Sequence, residues 1–544
     1  MTTTRDLPRS SPEAEGLNPA AVLRLVENLD RLDSVHSFML LRHGNVVAEG
    51  CWTPYDAATP HVMFSVSKSF TSLAVGLAIS DGLLGLDDKV LDHFAAEAPD
   101  SRSDNLRAMT IRHLLTMSAG HDVSTMEAIV PTNLGLRDAD WVRQILAMPV
   151  PYEPGSRFVY NTGATYLAGV AVQRRTGRRL LDYLGERVLG PLGFQGATWE
   201  QDPDGLDVGG YGMRVRTEDL AKLGQLCLRR GQWDGAQLVP AEWIDAATSR
   251  QIDSTHDDWP EWRQGYGYQF WRSRFGAYRA DGAFGQYAIV WPEHDVVLAI
   301  TSGLQNLQSV QDAVWDGLLP TLDPAAAREA GLPPVARGIA PFDGPPFDGA
   351  PFDAAESPGA AGETEQPAGG AQGTPAPDGS PRPSSRIVPP DDGVTWDLHL
   401  PLPAGGHTGP TTSATGRTYR MGPNSGGLEA LELSRDDDGR LVLREEIGGT
   451  ERTLGLGDGE WVRQRVDLAD GPEELACAAA WTATDTLVVR MIAVGTPFAW
   501  TLTLRFDGDG DGDRVAASLD QNVSFGETHL LDATGTATEP EAAA

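Results

Sequence analysis

Phe64-Ser65-Val66-Ser67-Lys68-Ser69-Phe70 is the stretch on which the reading of this chain turns. It puts a serine hydroxyl three residues before a lysine, at the start of an apolar segment that reads as a helix to about Ile79. Residues three apart share a helix face, so the Lys68 amine can lie beside the Ser65 hydroxyl and take its proton. The amine must be neutral to do so. A helix N-terminus carries partial positive charge and burial penalises an ammonium, so both favour the free base. Composition sharpens the signal. The chain has 43 basic residues, and only Lys68, Lys89 and Lys222 are lysine. Arginine stays protonated, so it could not replace Lys68 as a base.

The length of 544 residues suggests two or three domains, and 41% hydrophobic residues suffice for globular cores. A formal net charge of −33 argues against nucleic acid or an anionic membrane as partner. Residues 1–16 lack the apolar core of a secretory signal, and no apolar run reaches spanning length, so a soluble, cytoplasmic protein is expected. Cys51, Cys227 and Cys477 are scattered and odd in number, giving neither a disulfide framework nor metal-ligand spacing. No metal or cofactor is implied.

In chain order, Ser11 to Leu32 reads as a capped amphipathic helix. Phe38 to Leu41 and Val46 to Ala48, split by His43-Gly44-Asn45, read as a β-hairpin. A helix, a hairpin and then the Ser65 helix predict an antiparallel sheet packed against helices. His113 and His121 are expected as structural donors. In Pro154-Gly155-Ser156-Arg157-Phe158-Val159-Tyr160-Asn161-Thr162, a loop before a helix from about Thr165 to Thr176, Tyr160 can hold a hydroxyl rigidly in a cleft. Near a lysine its proton would leave more easily, making it a proton relay.

Thr217 to Gly224 reads as a helix with a threonine cap, and alternation in Gly265 to Trp271 predicts a strand. Ala280-Asp281-Gly282-Ala283-Phe284-Gly285-Gln286 leads into a strand pair. Glycines there let a strand edge approach a ligand, where a backbone N–H can bind an oxyanion. Pro324 to Pro390 holds 15 of the 38 prolines and repeats Pro-Phe-Asp at 341, 346 and 351, so a disordered linker is expected. The short alternating runs beyond it predict an all-β barrel or sandwich. Asp507, Asp509 and Asp511 read as an acidic turn rather than a calcium loop, since Ser518 stands where the loop needs glutamate.

Ser65-x-x-Lys68, the Pro154 to Tyr160 segment and Gly282 to Gln286, in this order, resemble the β-lactamase-related serine hydrolases. That family includes class C β-lactamases, penicillin-binding enzymes, esterases and 6-aminohexanoate-dimer hydrolases. The resemblance covers residues 11 to 320. It implies an α+β fold, an antiparallel sheet flanked by helices with an all-helical subdomain. Ser65 would be the nucleophile, Lys68 its base or base partner and Tyr160 the proton relay. The backbone N–H groups of Ser65 and Gln286 would form the oxyanion hole, with Gly285 and Asn161 as further substrate contacts. Two positions depart from the family pattern. Thr162 stands in the third place of Tyr-x-Asn, and Ala283 stands where lysine or histidine is usual. Without that cation, penicillin-like and carboxylate-bearing peptide substrates are disfavoured against an ester or small amide.

The expected organisation is a disordered N-terminus at 1–10, the hydrolase domain at 11–323, the linker at 324–390, an all-β domain at 391–533 resembling lipocalin-like appendages, and a disordered tail at 534–544. The expected function is a serine hydrolase acting on a small-molecule ester or amide. The alternatives are a non-catalytic penicillin-binding-like sensing protein, or a β-lactamase or D-amino peptidase.

Overall fold

The computed structural model describes residues 6–129, 140–254, 259–334, 389–390, 392–406, 414–468, 471–507 and 513–538. Most of the proline-rich stretch (335–388) and the acidic turn around 508–512 lie outside them. Among the described residues, no helix is long and apolar enough to cross a membrane.

The first sheet is built from β1 (Val35–Arg42), β2 (Asn45–Thr53), β3 (Trp271–Arg272), β4 (Tyr278–Gly282), β5 (Gln286–Trp291), β6 (Val296–Ser302) and β7 (Thr395–His399). Their spatial order is β7-β2-β1-β6-β5-β4-β3. All neighbours are antiparallel except β7, which lies parallel to β2. The predicted hairpin is β1–β2, with Leu40 opposite Ala48. Because side chains alternate across a strand, β1 and β6 feed two cores. Phe38, Leu40, Leu298 and Ile300 pack with Val22 and Leu25 of α1 (Pro19–Asp30) and Trp315 of α5 (Leu307–Leu322). Met39, Leu41, Val297 and Ala299 face the cluster that holds Phe70 of α2 (Ser67–Ser80), Leu167 of α3 (Thr162–Thr176) and Leu220 of α4 (Thr217–Leu228). A sheet covered on both faces explains why these strands read as continuous apolar runs. Short helices between residues 90 and 192 pack around α2 and α3 as a helical subdomain.

The second body is a ten-stranded antiparallel barrel, the barrel of the two alternatives. Its strands are β8 (Arg417–Met421), β9 (Leu428–Arg435), β10 (Leu441–Ile447), β11 (Thr450–Leu456), β12 (Val462–Leu468), β13 (Gly471–Trp481), β14 (Thr486–Ala493), β15 (Ala499–Phe506), β16 (Arg514–Gln521) and β17 (His529–Ala537). Its end strands β11 and β12 meet where the Gln464 amide both donates to Gly455 O (2.9 Å) and accepts from Gly455 N (2.9 Å). Tyr419, Leu443, Leu487, Val489 and Phe506 fill its interior.

Several boundaries differ from the expectation. Helix α1 starts at Pro19 with Asn18 as its cap, later than Ser11. Residues 6–10 are not loose: Leu7 is buried, its N–H donates to Glu218 (2.7 Å), and Arg9 pairs with Glu49 and Glu218. The start of the expected linker is the helix Pro324–Glu329, capped by Asp323. Strand β17 runs to Ala537, into the expected tail, and β7 joins the first sheet rather than the barrel. Thr217 does not cap α4; Arg216 holds that position, and the Thr217 hydroxyl bonds Ser37 (2.6 Å). Gly265 to Phe270 is no strand; β3 begins only at Trp271, and the alternation fails because Gln269 and Trp271 are buried along with Tyr266, Tyr268 and Phe270. The backbone is bent by Gln269 (φ 66°), whose amide donates to the Leu114 and Leu115 carbonyls.

The two bodies are joined over buried histidines. His36 Nδ1 lies 3.1 Å from His61 Nε2, Tyr55 stacks on His36 and donates to Thr496 O (3.2 Å), and Val62 N donates to Gly495 O (2.8 Å). Burial pushes both imidazoles down, His61 to about 4, with Arg490 and Arg214 adding repulsion. The unfolded chain therefore binds protons between about pH 6.5 and 4 that the folded chain refuses. Stability falls across that window, by about 3 kcal/mol for His61. In urea unfolding at pH 7.5, 6 and 5, His61→Gln should lose less stability on acidification than the wild type; parallel pH dependences would contradict this.

Candidate active site

Ser65 sits in a one-turn 3-10 helix, Phe64–Val66, that runs directly into α2. From Ser67 to Ala78 every residue of α2 is buried, so packing on all sides fixes the end that carries Ser65 and Lys68. The polar residues of its first turns are buried with partners. Ser67 Oγ accepts from Met213 N (3.1 Å), Ser69 donates to Gln269 O (2.7 Å) and Thr71 donates to Gly209 O (2.8 Å). The serine-rich opening of the helix thus ties it to the glycine loop 209–212 and to the aromatic loop.

Lys68 is 1% exposed. Its Nζ lies 2.8 Å from Ser65 Oγ, 2.7 Å from Gly210 O and 3.4 Å from Thr162 Oγ1. Thr162 in turn donates to Glu127 Oε1 (2.9 Å), so its oxygen is left to accept. A neutral amine has two N–H donors and one lone pair. Gly210 O and Thr162 Oγ1 take the two donors, and the lone pair is left for the Ser65 proton. Energetics agree with this count. Burial lowers the Lys68 pKa to about 7, against the opposing fields of Glu127 and Asp281. At neutral pH about half of the amines are therefore free base. Burial is the leading cause, whereas the sequence argument divided the effect between burial and the helix end.

The Tyr160 hydroxyl faces Ser65. Its ring stacks on Trp271 (5.6 Å between centroids) and meets Tyr266 edge-on, while Lys68 Nζ stands 5.0 Å from its centroid. The buried aromatic cluster therefore serves to orient Tyr160. The expectation that its proton would leave more easily is reversed: burial pushes the phenol well above its ordinary range, and the negative fields of Asp281 and Glu127 add to that. Tyr160 stays a phenol.

Gln286 pairs with Gly282 at the end of β4–β5. A Cβ on Gly282 would stand 2.3 Å from Met63 O, so this strand end abuts the chain just ahead of Ser65. The Gln286 side chain is spent internally, donating to Ala283 O (3.0 Å) and Ser302 O (2.7 Å) and accepting from Ser302 N (3.2 Å). Gly285 has φ 90°, and a Cβ there would lie 2.1 Å from Ser302 Oγ, so the turn requires glycine. Asn161 does not face the cleft. It caps α3 and holds Thr125, with its amide 3.3 Å from His121 Nδ1. His113 completes a capping box with Thr110, and His121 is buried beside Asn161, the structural parts expected of both. Sequence reasoning missed Glu127, which lies in the short helix Thr125–Ile129 with no motif around it, and the carboxylate of Asp281, quoted only as part of a strand turn. Among the described residues, no group of three or more His, Cys, Asp or Glu could hold a metal ion.

Residues 34–317, just over half of the chain, match the family model described as Beta-lactamase. The chain belongs to this family. It is a β-lactamase-related serine hydrolase, of a family that also includes acyltransferases. It is similar to an uncharacterized protein of Alkalihalophilus pseudofirmus, 24% identical over 51% of this chain and 87% of that protein. It also matches the acyltransferase mokF of Monascus pilosus, 26% identical over 35% of this chain and only half of that protein's length. Among solved structures, the octameric penicillin-binding protein homologue from Pyrococcus abyssi is 16% identical, aligned over 94% of this chain and 98% of that one with a TM-score of 0.43.

A rate that depends on the free Lys68 amine falls about tenfold per pH unit below about 7 and levels off above it. Glu127→Gln removes a charge that favours the ammonium, so the half-maximal point of kcat/KM for p-nitrophenyl acetate should move to lower pH. A shift to higher pH would contradict the assignment of Glu127.

Proposed function

We propose that the protein cleaves an ester or small amide through an acyl-enzyme on Ser65. The observation that carries this reading is the Ser65 hydroxyl held between a buried amine poised near neutrality and a phenol that keeps its proton. Lys68 takes the Ser65 proton as Oγ attacks the carbonyl carbon, and the carbonyl oxygen becomes an oxyanion received by the N–H groups of Ser65 and Gln286. When the carbon–oxygen or carbon–nitrogen bond to the leaving group breaks, the proton passes from the Lys68 ammonium through the Tyr160 hydroxyl to the departing atom. Water then attacks the acyl-enzyme, gives its proton to Lys68, and the acid leaves as Ser65 Oγ is reprotonated. Because its proton is held tightly, Tyr160 accepts and donates in the same step rather than working as a phenolate. The similarity to mokF, an acyltransferase, supports acyl transfer as the chemistry of this chain. Ala283 at the head of the third motif leaves no cation there for a substrate carboxylate, which favours uncharged esters and small amides.

Treatment with a p-nitrophenyl phosphonate followed by intact-mass and peptide analysis should give one adduct on Ser65, absent in Ser65→Ala. Lys68→Arg, which keeps the charge but has no free base, should slow adduct formation at least about 100-fold. No adduct on Ser65 would favour the non-catalytic binding protein instead, and an undiminished rate in Lys68→Arg would remove the lysine from the mechanism.

A further inference from the structure

Four phenylalanines from both bodies meet beside the Ser65 turn. Phe64 immediately precedes Ser65, and Phe284 stands one residue before Gly285 and two before Gln286. Both have positive φ, 46° and 63°, which bulky residues avoid and which structures retain chiefly at functional sites. Their rings lie edge to face at 5.3 Å. The barrel brings the other two. Phe498, in the turn between β14 and β15, is 6.3 Å from Phe64 and 5.8 Å from Phe284; Phe525, in the loop between β16 and β17, is 6.0 Å from Phe64 and 4.7 Å from Phe284. Phe284 is buried beneath, Phe64 and Phe498 are half-buried, and Phe525 is 67% exposed.

These loops are held in place. Asn522 donates to Gly303 O (3.0 Å) at the end of the first sheet and to Pro497 O (2.9 Å), and it accepts from Ala499 N (2.8 Å). The exposed face of Phe525 is thus kept in water, at a cost that burial under an apolar group would recover. Together with the half-buried Phe64 and Phe498, Phe525 makes an apolar patch of adjoining rings rather than a single exposed side chain, and such patches mark binding sites.

We infer that the barrel supplies, through Phe498 and Phe525, an apolar subsite of the Ser65 cleft that receives a hydrocarbon group of the ester substrate. This rests on the acyl-enzyme reading above and extends it to the substrate class: esters with a long apolar group, on either the acyl or the alcohol side. The second body is then part of the specificity apparatus rather than a separate module.

The test uses the full chain. kcat/KM is measured for p-nitrophenyl acetate and octanoate, and for ethyl and octyl acetate, in the wild type, Phe525→Ala, Phe525→Leu and Phe498→Ala. The wild type should prefer the long member of one series. Phe525→Ala should reduce that long-to-short ratio about tenfold, while Phe525→Leu, which keeps an apolar surface, should retain most of it. The series that responds tells whether the acyl or the alcohol group occupies the site. Long-to-short ratios unchanged by every variant, in protein that still forms the Ser65 phosphonate adduct, would overturn the subsite. A wild type that forms no adduct would overturn the acyl-enzyme reading instead, and this inference with it.

Discussion

A lysine amine can act as a base at neutral pH only where its charged form is disfavoured, and here burial does this. In this chain that condition is met by one helix. Because α2 is buried on every face, Lys68 is carried into a place where, among the described residues, its Nζ hydrogen-bonds Gly210 O, Thr162 Oγ1 and Ser65 Oγ. The same burial that gives the helix its position weakens the ammonium. Stability and reactivity here have one physical source, and neighbouring groups modulate it: Glu127 and Asp281 keep the amine from losing its proton too readily.

The surrounding architecture can be understood as support for that arrangement. The first sheet, packed on both faces, ends at Gly282 and Gln286 against Met63, which sets a strand edge beside the serine turn. The aromatic loop 266–271 fixes the Tyr160 ring, and Gln269 bolts that loop to the helical subdomain. Phe498 and Phe525, from two loops of the barrel, pack on the rings of Phe64 and Phe284. The groups around Lys68 and Ser65 therefore come from stretches as far apart as residues 65, 162 and 210.

Much of this was legible in the sequence, for identifiable reasons. Ser65 and Lys68 stand out because lysine is nearly absent elsewhere, and Tyr160 because a glycine-proline loop precedes it. The β1–β2 hairpin shows its turn residues and apolar runs, and the alternating segments after residue 394 announce a β body. What could not be read depends on tertiary contacts. Glu127 lies in a five-residue helix with no periodicity, and it gains a role only because the fold sets its charge near Lys68 and its carboxylate on Thr162. The Gly265 to Trp271 alternation imitates a strand, but Gln269 at φ 66° bends the backbone, and the consecutive rings of Phe270 and Trp271 are both buried. Leu7 and Arg9 are ordered by carboxylates some 40 and 210 residues away. The family resemblance implied a substrate contact for Asn161, but in the fold it closes the first turn of α3.

The scarcity of lysine also makes the central claim directly measurable. With lysine labelled at the ε carbon, the protein has three side-chain amine signals to follow by NMR as pH is raised, and Lys68→Arg identifies one of them by its loss. The account predicts that this signal titrates at about 7. A midpoint near the ordinary lysine value of about 10.4 would mean that the amine beside Ser65 is a permanent cation at neutral pH, and the account of this site would be wrong.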